Sequence, residues 1–272
     1  MIITSYHPVY SFDSDRKDRG MYHKFALRKT KEISFLWYLY VREFLGKEAD
    51  ILIVDQNGNY PIDYLLEKAE ENFDISSALN FDFNDKVKLN IKKFDDKVQI
   101  RRGVKRLYHF IYKFCYYNNL DLFFIEDDCL VARDLVAECQ NFDFGTNTID
   151  QKHRVCDTYI NFIKAARLKE QDALQSLPEF LDHIANFDTS TNEYWGHEDL
   201  SSMILNERGT YLKFCYGDII TFNNDRVWHG GTDQELIDWL EKHPIKHPFY
   251  DYFVENGKRI IKEISELKDK QA

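Results

Sequence analysis

Two four-residue apolar runs stop abruptly on carboxylates: Ile51-Leu52-Ile53-Val54 on Asp55, and Leu122-Phe123-Phe124-Ile125 on Glu126-Asp127-Asp128. A run this short with no polar alternation is apolar on both faces. It predicts a strand covered on both sides, as in a parallel sheet with crossover helices. The segments around the runs have the other period. Ile33, Leu36, Trp37, Val41, Phe44 and Leu45 recur at helical spacing, with Gly46 as the stop, and Val104, Leu107, Phe110, Ile111, Phe114 and Cys115 do the same between Gly103 and Asn118. Met1 to Ser5 predicts a first strand and Val98 to Ile100 a third. Asn57-Gly58-Asn59 is a turn, and Pro61-Ile62-Asp63 opens a helix. Alternating strands and helices predict an α/β fold with a mostly parallel sheet flanked by helices. Ligands of such sheets bind beyond the carboxyl ends of the strands, where Asp55 and the acidic triplet stand.

Past residue 150 the spacing predicts helices over Thr158–Arg167, Pro178–Ile184 and Leu200–Glu207. Short strands follow at Tyr211–Tyr216 and Ile219–Phe222, then helices at Glu235–Leu240 and Val254–Leu267. Neither a repeat nor a low-complexity linker interrupts this order, so residues 1–235 read as one catalytic domain and 236–272 as its helical C-terminal extension.

A net charge of −10 argues against a general nucleic-acid binder, which needs a basic face to displace condensed counterions. The basic residues that do cluster, Arg101, Arg102, Lys105 and Arg106, suit a small phosphate ligand better than a polymer. No segment has the apolar length of a membrane span, and no basic start followed by an apolar core marks a signal peptide. The five cysteines are an odd number without a CxxC pair and read as reduced thiols, which predicts a cytoplasmic location, with peripheral attachment to a membrane left open.

Three consecutive acids repel one another unless cations compensate them. At a strand end the economical solution is an oxygen-seeking divalent ion, Mn2+ or Mg2+, held by one or two carboxylates together with phosphate oxygens. If the strand alternation continues through the triplet, Glu126 and Asp128 face one ligand and Asp127 faces away. Further along, Tyr194-Trp195-Gly196-His197-Glu198-Asp199 places two acids just before a predicted helix, and Asp225-Arg226-Val227-Trp228-His229 ends on an imidazole before two glycines. Arg101, Arg102 and Lys105 open the helix that leads to the acidic strand, a place where a diphosphate or carboxylate is readily held.

Taken in order, an N-terminal strand, Asp55 after a second strand, a basic helix and Phe123-Phe124-Ile125-Glu126-Asp127-Asp128 resemble the GT-A superfamily of glycosyltransferases, whose DxD motif follows such a strand. Glu126 stands where that motif has its first Asp. The Trp195-Gly196…Glu198-Asp199 segment is similar to the WG…ED segment of inverting β-1,4-galactosyltransferase-like enzymes, with a shorter spacing. The resemblance implies a Rossmann-like catalytic domain that transfers a sugar from a nucleoside-diphosphate donor, UDP first, to a glycan hydroxyl with inversion. It implies Asp128, Glu126 and His229 as metal ligands and Asp199 as the base. Trp195, His197 and Glu198 would contact acceptor or donor sugar. Thr4, Ser5, Tyr6, Asp55 and Asp127 would serve the nucleotide, with Arg101, Arg102 and Lys105 beside it. A retaining transferase shares the metal site. A sugar-1-phosphate nucleotidylyltransferase would carry a glycine-rich loop after the first strand, which Ser5-Tyr6-His7-Pro8 does not supply, and a metal-independent carbohydrate-binding protein is the remaining class.

Overall fold

The computed structural model describes residues 1–14, 26–46, 50–56, 58–60, 62, 89–93, 100–141, 144–150, 155–170 and 226–270. In chain order the described elements are β1 (Ile2–Tyr6), a 3-10 turn (Leu27–Lys29), α1 (Lys31–Phe44), β2 (Ile51–Asp55), β3 (Leu89–Lys93), α2 (Ile100–Asn118), β4 (Leu122–Ile125), β5 (Leu130–Val131), α3 (Leu135–Cys139), β6 (Phe144–Asp150), β7 (Val155–Ile163), α4 (Ala165–Glu170), β8 (Val227–Trp228), α5 (Asp233–Lys242) and α6 (Pro248–Asp269). The class is mixed α/β, as the alternation of periods predicts. The chain divides into two compact units. The first holds Met1–Ser5, Asp96–Glu126 and Leu135–Phe222; the second holds Tyr6–Asp95, Asp127–Asp134 and Asn223–Ala272.

In the first unit β1 and β4 run parallel, with Ile3 opposite Phe124. β7 then pairs antiparallel with β4, Leu122 facing Ile163, and with β6 on its other side. The apolar stripe of α2 is buried through Leu107, Tyr108, Ile111, Tyr112 and Cys115. It meets the sheet where the Tyr108 and Phe124 rings lie 5.3 Å apart and where Asn161 Nδ2 donates to the Tyr112 hydroxyl at 3.1 Å. Two expectations are corrected here. Thr158 to Ile163 belongs to a strand, because Ile160 and Ile163 satisfy a helical spacing by coincidence within a β-branched and aromatic run. Ile100 opens α2 instead of ending a strand.

In the second unit β2 and β3 are parallel and in register from Ile51 opposite Leu89 to Asp55 opposite Lys93. The third strand of the chain is therefore Leu89–Lys93, whose alternating Leu-Asn-Ile-Lys pattern the apolar-run criterion passes over. α1 begins at Thr30, whose hydroxyl accepts the Ile33 amide at 3.3 Å. It is buried on nearly every side, the behaviour of a core helix. Aromatic rings fill the space around it: Phe35 meets Phe249 at 4.5 Å and Tyr40 meets Trp239 at 5.5 Å between centroids. α5 carries a complete capping box between Thr232 and Glu235, and α6 starts with His247 as its cap and Pro248 in its first turn. No described helix is long and apolar enough to cross a membrane.

Candidate metal and anion site

β4 delivers the chain to Glu126, and the strand ends there: Asp127 and Asp128 lie in a turn. Strand alternation therefore does not orient the triplet. Contacts do. Asp127 Oδ2 accepts the Ser34 hydroxyl at 2.7 Å, which directs that carboxylate to the first turn of α1. Asp128 is buried, and two residues later β5 pairs antiparallel with β8, Leu130 opposite Trp228. This short ribbon brings together segments about a hundred residues apart, since Asp128 precedes one strand and His229 follows the other. His229 Nε2 lies 3.6 Å from Asp128 Oδ1. Gly231 makes the exit from β8 possible: its φ is +109°, and a Cβ there would lie 2.5 Å from Glu235 Oε2, inside the α5 capping box.

The third component comes from the 3-10 turn ahead of α1. Arg28 Nε donates to Asp128 Oδ2 at 2.6 Å and Lys29 Nζ donates to the same oxygen at 2.9 Å. Arg28 Nη2 also donates to His229 Nε2. A guanidinium has no acceptor, so this bond draws on the Nε2 lone pair. The turn is itself held in place. Asp233, the first residue of α5, accepts the amides of Ala26 and Leu27 at 3.0 Å each, and the Lys29 carbonyl accepts those of Val9 and Tyr10.

Burial alone would raise the Asp128 pKa, but Lys29 and Arg28 outweigh it and hold the carboxyl well below its ordinary range. Reciprocally, Asp128 raises the Lys29 ammonium above its usual value against the opposing effects of burial and of Arg28. Asp128 is ionised at any working pH. Its Oδ1 is buried without a hydrogen-bond partner among the described residues, facing His229. Glu126 stands two residues upstream, directly after β4. Carboxylates with an imidazole form a donor set that suits Mn2+, and the open Oδ1 gives it a point of attachment. Asp128 Oδ2 and His229 Nε2 are engaged by the two cations in this state.

The other predicted residues are placed as follows. Asp55 is fully buried at the end of β2, and the next amide, that of Gln56, donates to the Tyr6 carbonyl at 3.1 Å. Thr4 and Ser5 are buried in β1, where the Thr4 hydroxyl donates to the Ser5 carbonyl at 3.2 Å. Arg101, Arg102 and Lys105 occupy the first turns of α2. Trp195, His197, Glu198 and Asp199 lie outside the described residues. Sequence reasoning missed Arg28, Lys29 and Asp233. The available signal was Arg28-Lys29-Thr30, a cation pair directly ahead of a helix cap.

No known protein-family profile matches this sequence, and neither does any curated protein. Among solved structures, a likeness is found to the glycosyltransferase GlyE of Streptococcus pneumoniae TIGR4, at 9% identity and a TM-score of 0.48, covering 97% of this chain and 63% of that one. The apo form of GlyE is similar at 10% identity and a TM-score of 0.41. HddC from Yersinia pseudotuberculosis is similar at 10% identity and a TM-score of 0.34, over 62% of this chain and 78% of that one. This chain thus spans less than two thirds of the length of GlyE, and the functional reading rests on the residues themselves.

Proposed function

We propose that this chain is a metal-dependent glycosyltransferase that moves a sugar from a nucleoside-diphosphate donor, UDP first among the candidates, to a hydroxyl of a glycan acceptor with inversion. The observation that carries this reading is the pairing of buried Asp128 with His229 just past the end of an apolar strand, with the Asp128 Oδ1 open. Asp128, His229 and Glu126 are the residues that would hold Mn2+. When bound, a divalent cation supplies positive charge against the departing diphosphate.

The chain's own groups are assigned the remaining tasks. Asp55, Thr4, Ser5 and Tyr6 bind the nucleoside, and Asp127 keeps the turn fixed on α1 through Ser34. Asp199 takes the proton from the acceptor hydroxyl as its oxygen attacks the anomeric carbon, and the bond from that carbon to the diphosphate oxygen breaks. Trp195, His197 and Glu198 contact the sugars, while Arg101, Arg102 and Lys105 add positive charge to the first turns of α2. A screen of nucleotide sugars for Mn2+-dependent hydrolysis tests the reading; an inactive panel would overturn it. Product stereochemistry by NMR tests inversion, and full activity in Asp199→Ala would remove Asp199 as the base.

One observation favours a second reading. Arg28 and Lys29 already neutralise Asp128, as in a protein that binds a sugar nucleotide without metal. Activity that survives EDTA would select it.

A further inference from the structure

We infer that Arg28 and Lys29 are the docking cations for the donor's diphosphate, parked on Asp128 until the nucleotide arrives, so that anion and metal loading are coupled through this one carboxylate. The inference deepens the reading above and rests on it. Both cations converge on a single oxygen, Asp128 Oδ2, at 2.6 and 2.9 Å, while Oδ1 of the same group is buried without a hydrogen-bond partner among the described residues. Two cations on one oxygen beside an open one is an uneven way to neutralise a carboxylate. Arg–carboxylate pairs are frequently bidentate, with both oxygens engaged by one guanidinium. Here Arg28 turns its Nη2 to His229 Nε2 instead, covering the imidazole lone pair that a metal would need.

The charges fit an exchange. Asp128 already holds two cations on one oxygen, while its other oxygen has no hydrogen bond among the described residues. Once a divalent ion is added the corner becomes positive, and a nucleoside diphosphate restores the balance. Each ligand then prepares the site for the other. Diphosphate draws Arg28 and Lys29 off Asp128 Oδ2 and His229 Nε2, and a cation on Asp128 releases the same two side chains. Lys29 can make the move because its side chain is half-exposed, at 49%, whereas Asp128 at 4% stays fixed. The 3-10 turn provides the pivot: its backbone is clamped by Asp233, so the side chains move on a stationary base.

The test measures the two loadings separately in Lys29→Gln and in the Arg28→Gln/Lys29→Gln double variant. Mn2+ alone is titrated by the electron paramagnetic resonance of the free ion. UDP, GDP and CDP are titrated by calorimetry in EDTA. The expected result is opposite shifts: Mn2+ binding tightens roughly tenfold while binding of the nucleoside diphosphate weakens roughly tenfold. A merely structural pair would weaken both together, and that outcome, or no change in either, overturns the inference. Lys29→Gln retains Arg28 on Asp128 and answers the question if the double variant does not fold, with thermal melting as the control. Should the wild type bind none of the three nucleotides in EDTA yet hydrolyse a nucleotide sugar with Mn2+, the exchange is wrong and the transferase reading stands. If it binds all ligands as expected but transfers no sugar, the transferase reading fails alone.

Discussion

Asp233 holds Leu27 by its backbone: Oδ1 accepts the Leu27 amide at 3.0 Å, and the other oxygen of the same carboxylate accepts the amide of Ala26. The two residues are some two hundred positions apart, and the bond fixes the turn that carries Arg28 and Lys29. Each buried amide left without an acceptor costs about 1–3 kcal/mol. Asp233→Ala orphans two of them, so a loss of roughly 2–6 kcal/mol in unfolding free energy is expected by the same rule. Asp233→Asn retains one acceptor and should recover about half. If Asp233 positions the cations, the KM for the donor rises in the Ala variant beyond what the lost stability explains and falls back in Asn. A lowered Tm with an unchanged KM would reduce Asp233 to a stabilising contact.

Asp128 offers the complementary perturbation. Replacing it with Asn removes the charge that Lys29 and Arg28, whose side chain is 20% exposed, share. Breaking one side of a buried ion pair costs about 3–5 kcal/mol, and the exposure of Lys29 places this case toward the lower end. Asp128→Asn should therefore melt earlier, lose sugar transfer by at least ~100-fold, and lose Mn2+ binding. Denaturant unfolding alongside a metal titration checks both. Retention of wild-type Mn2+ affinity would move the metal site elsewhere.

The share of this architecture legible in sequence follows from how local each signal is. β2 and β4 could be read because their apolar runs are continuous and end on acids, and α1, α2, α5 and α6 because their stripes span several turns. β3 is half polar, and β7 mixes β-branched residues with a chance three-residue repeat of isoleucine, so neither shows a decisive period. At the site, Asp128 stood out within its triplet and His229 before its glycines. Arg28 and Lys29 did not, because nothing near them in the chain announces a partner a hundred residues away. Their place on Asp128 emerges only once Asp233 has fixed the turn and the β5–β8 ribbon has set Asp128 beside His229. Asp127 is held by Ser34 in a turn, so strand alternation was no guide to its orientation.

Glu32 gives the fold a pH dependence of known sign. It is buried in the first turn of α1, where Oε1 accepts the Phe12 amide at 3.2 Å, and burial pushes its carboxyl from 4.5 up to about 7. Below pH 4.5 it is protonated in both the folded and unfolded chain. As pH rises the unfolded chain ionises first, so stability falls until the folded carboxyl also ionises near 7, by an amount on the order of 3 kcal/mol. Glu32→Gln keeps an acceptor for Phe12 and cannot ionise. Its Tm should match or fall slightly below wild type at pH 5 and exceed it at pH 8. A difference between the two proteins that does not change with pH would show that Glu32 does not carry this dependence.

Gly257 lies on α6 where that helix packs closely on α5. A Cβ placed on it would lie 2.7 Å from Ile237 Cδ1 on α5 and 3.2 Å from Leu27 Cδ1, on the turn that bears the cations. In an open helix, alanine in place of glycine gains about 1 kcal/mol from propensity. Here the methyl must displace a fully buried isoleucine, and overpacking costs about 1–3 kcal/mol, so Gly257→Ala should be neutral to destabilising. Ile237→Val removes the obstructing carbon and alone should cost about 0.5–1.5 kcal/mol. Combined, the two should be at least about 1 kcal/mol more stable than the sum of their separate effects predicts, because the space vacated by one is filled by the other. Thermal or denaturant unfolding of the four proteins in the cycle measures this coupling. Strict additivity would mean that α6 shifts to accommodate the methyl, and the Leu27 turn would then be expected to move with it.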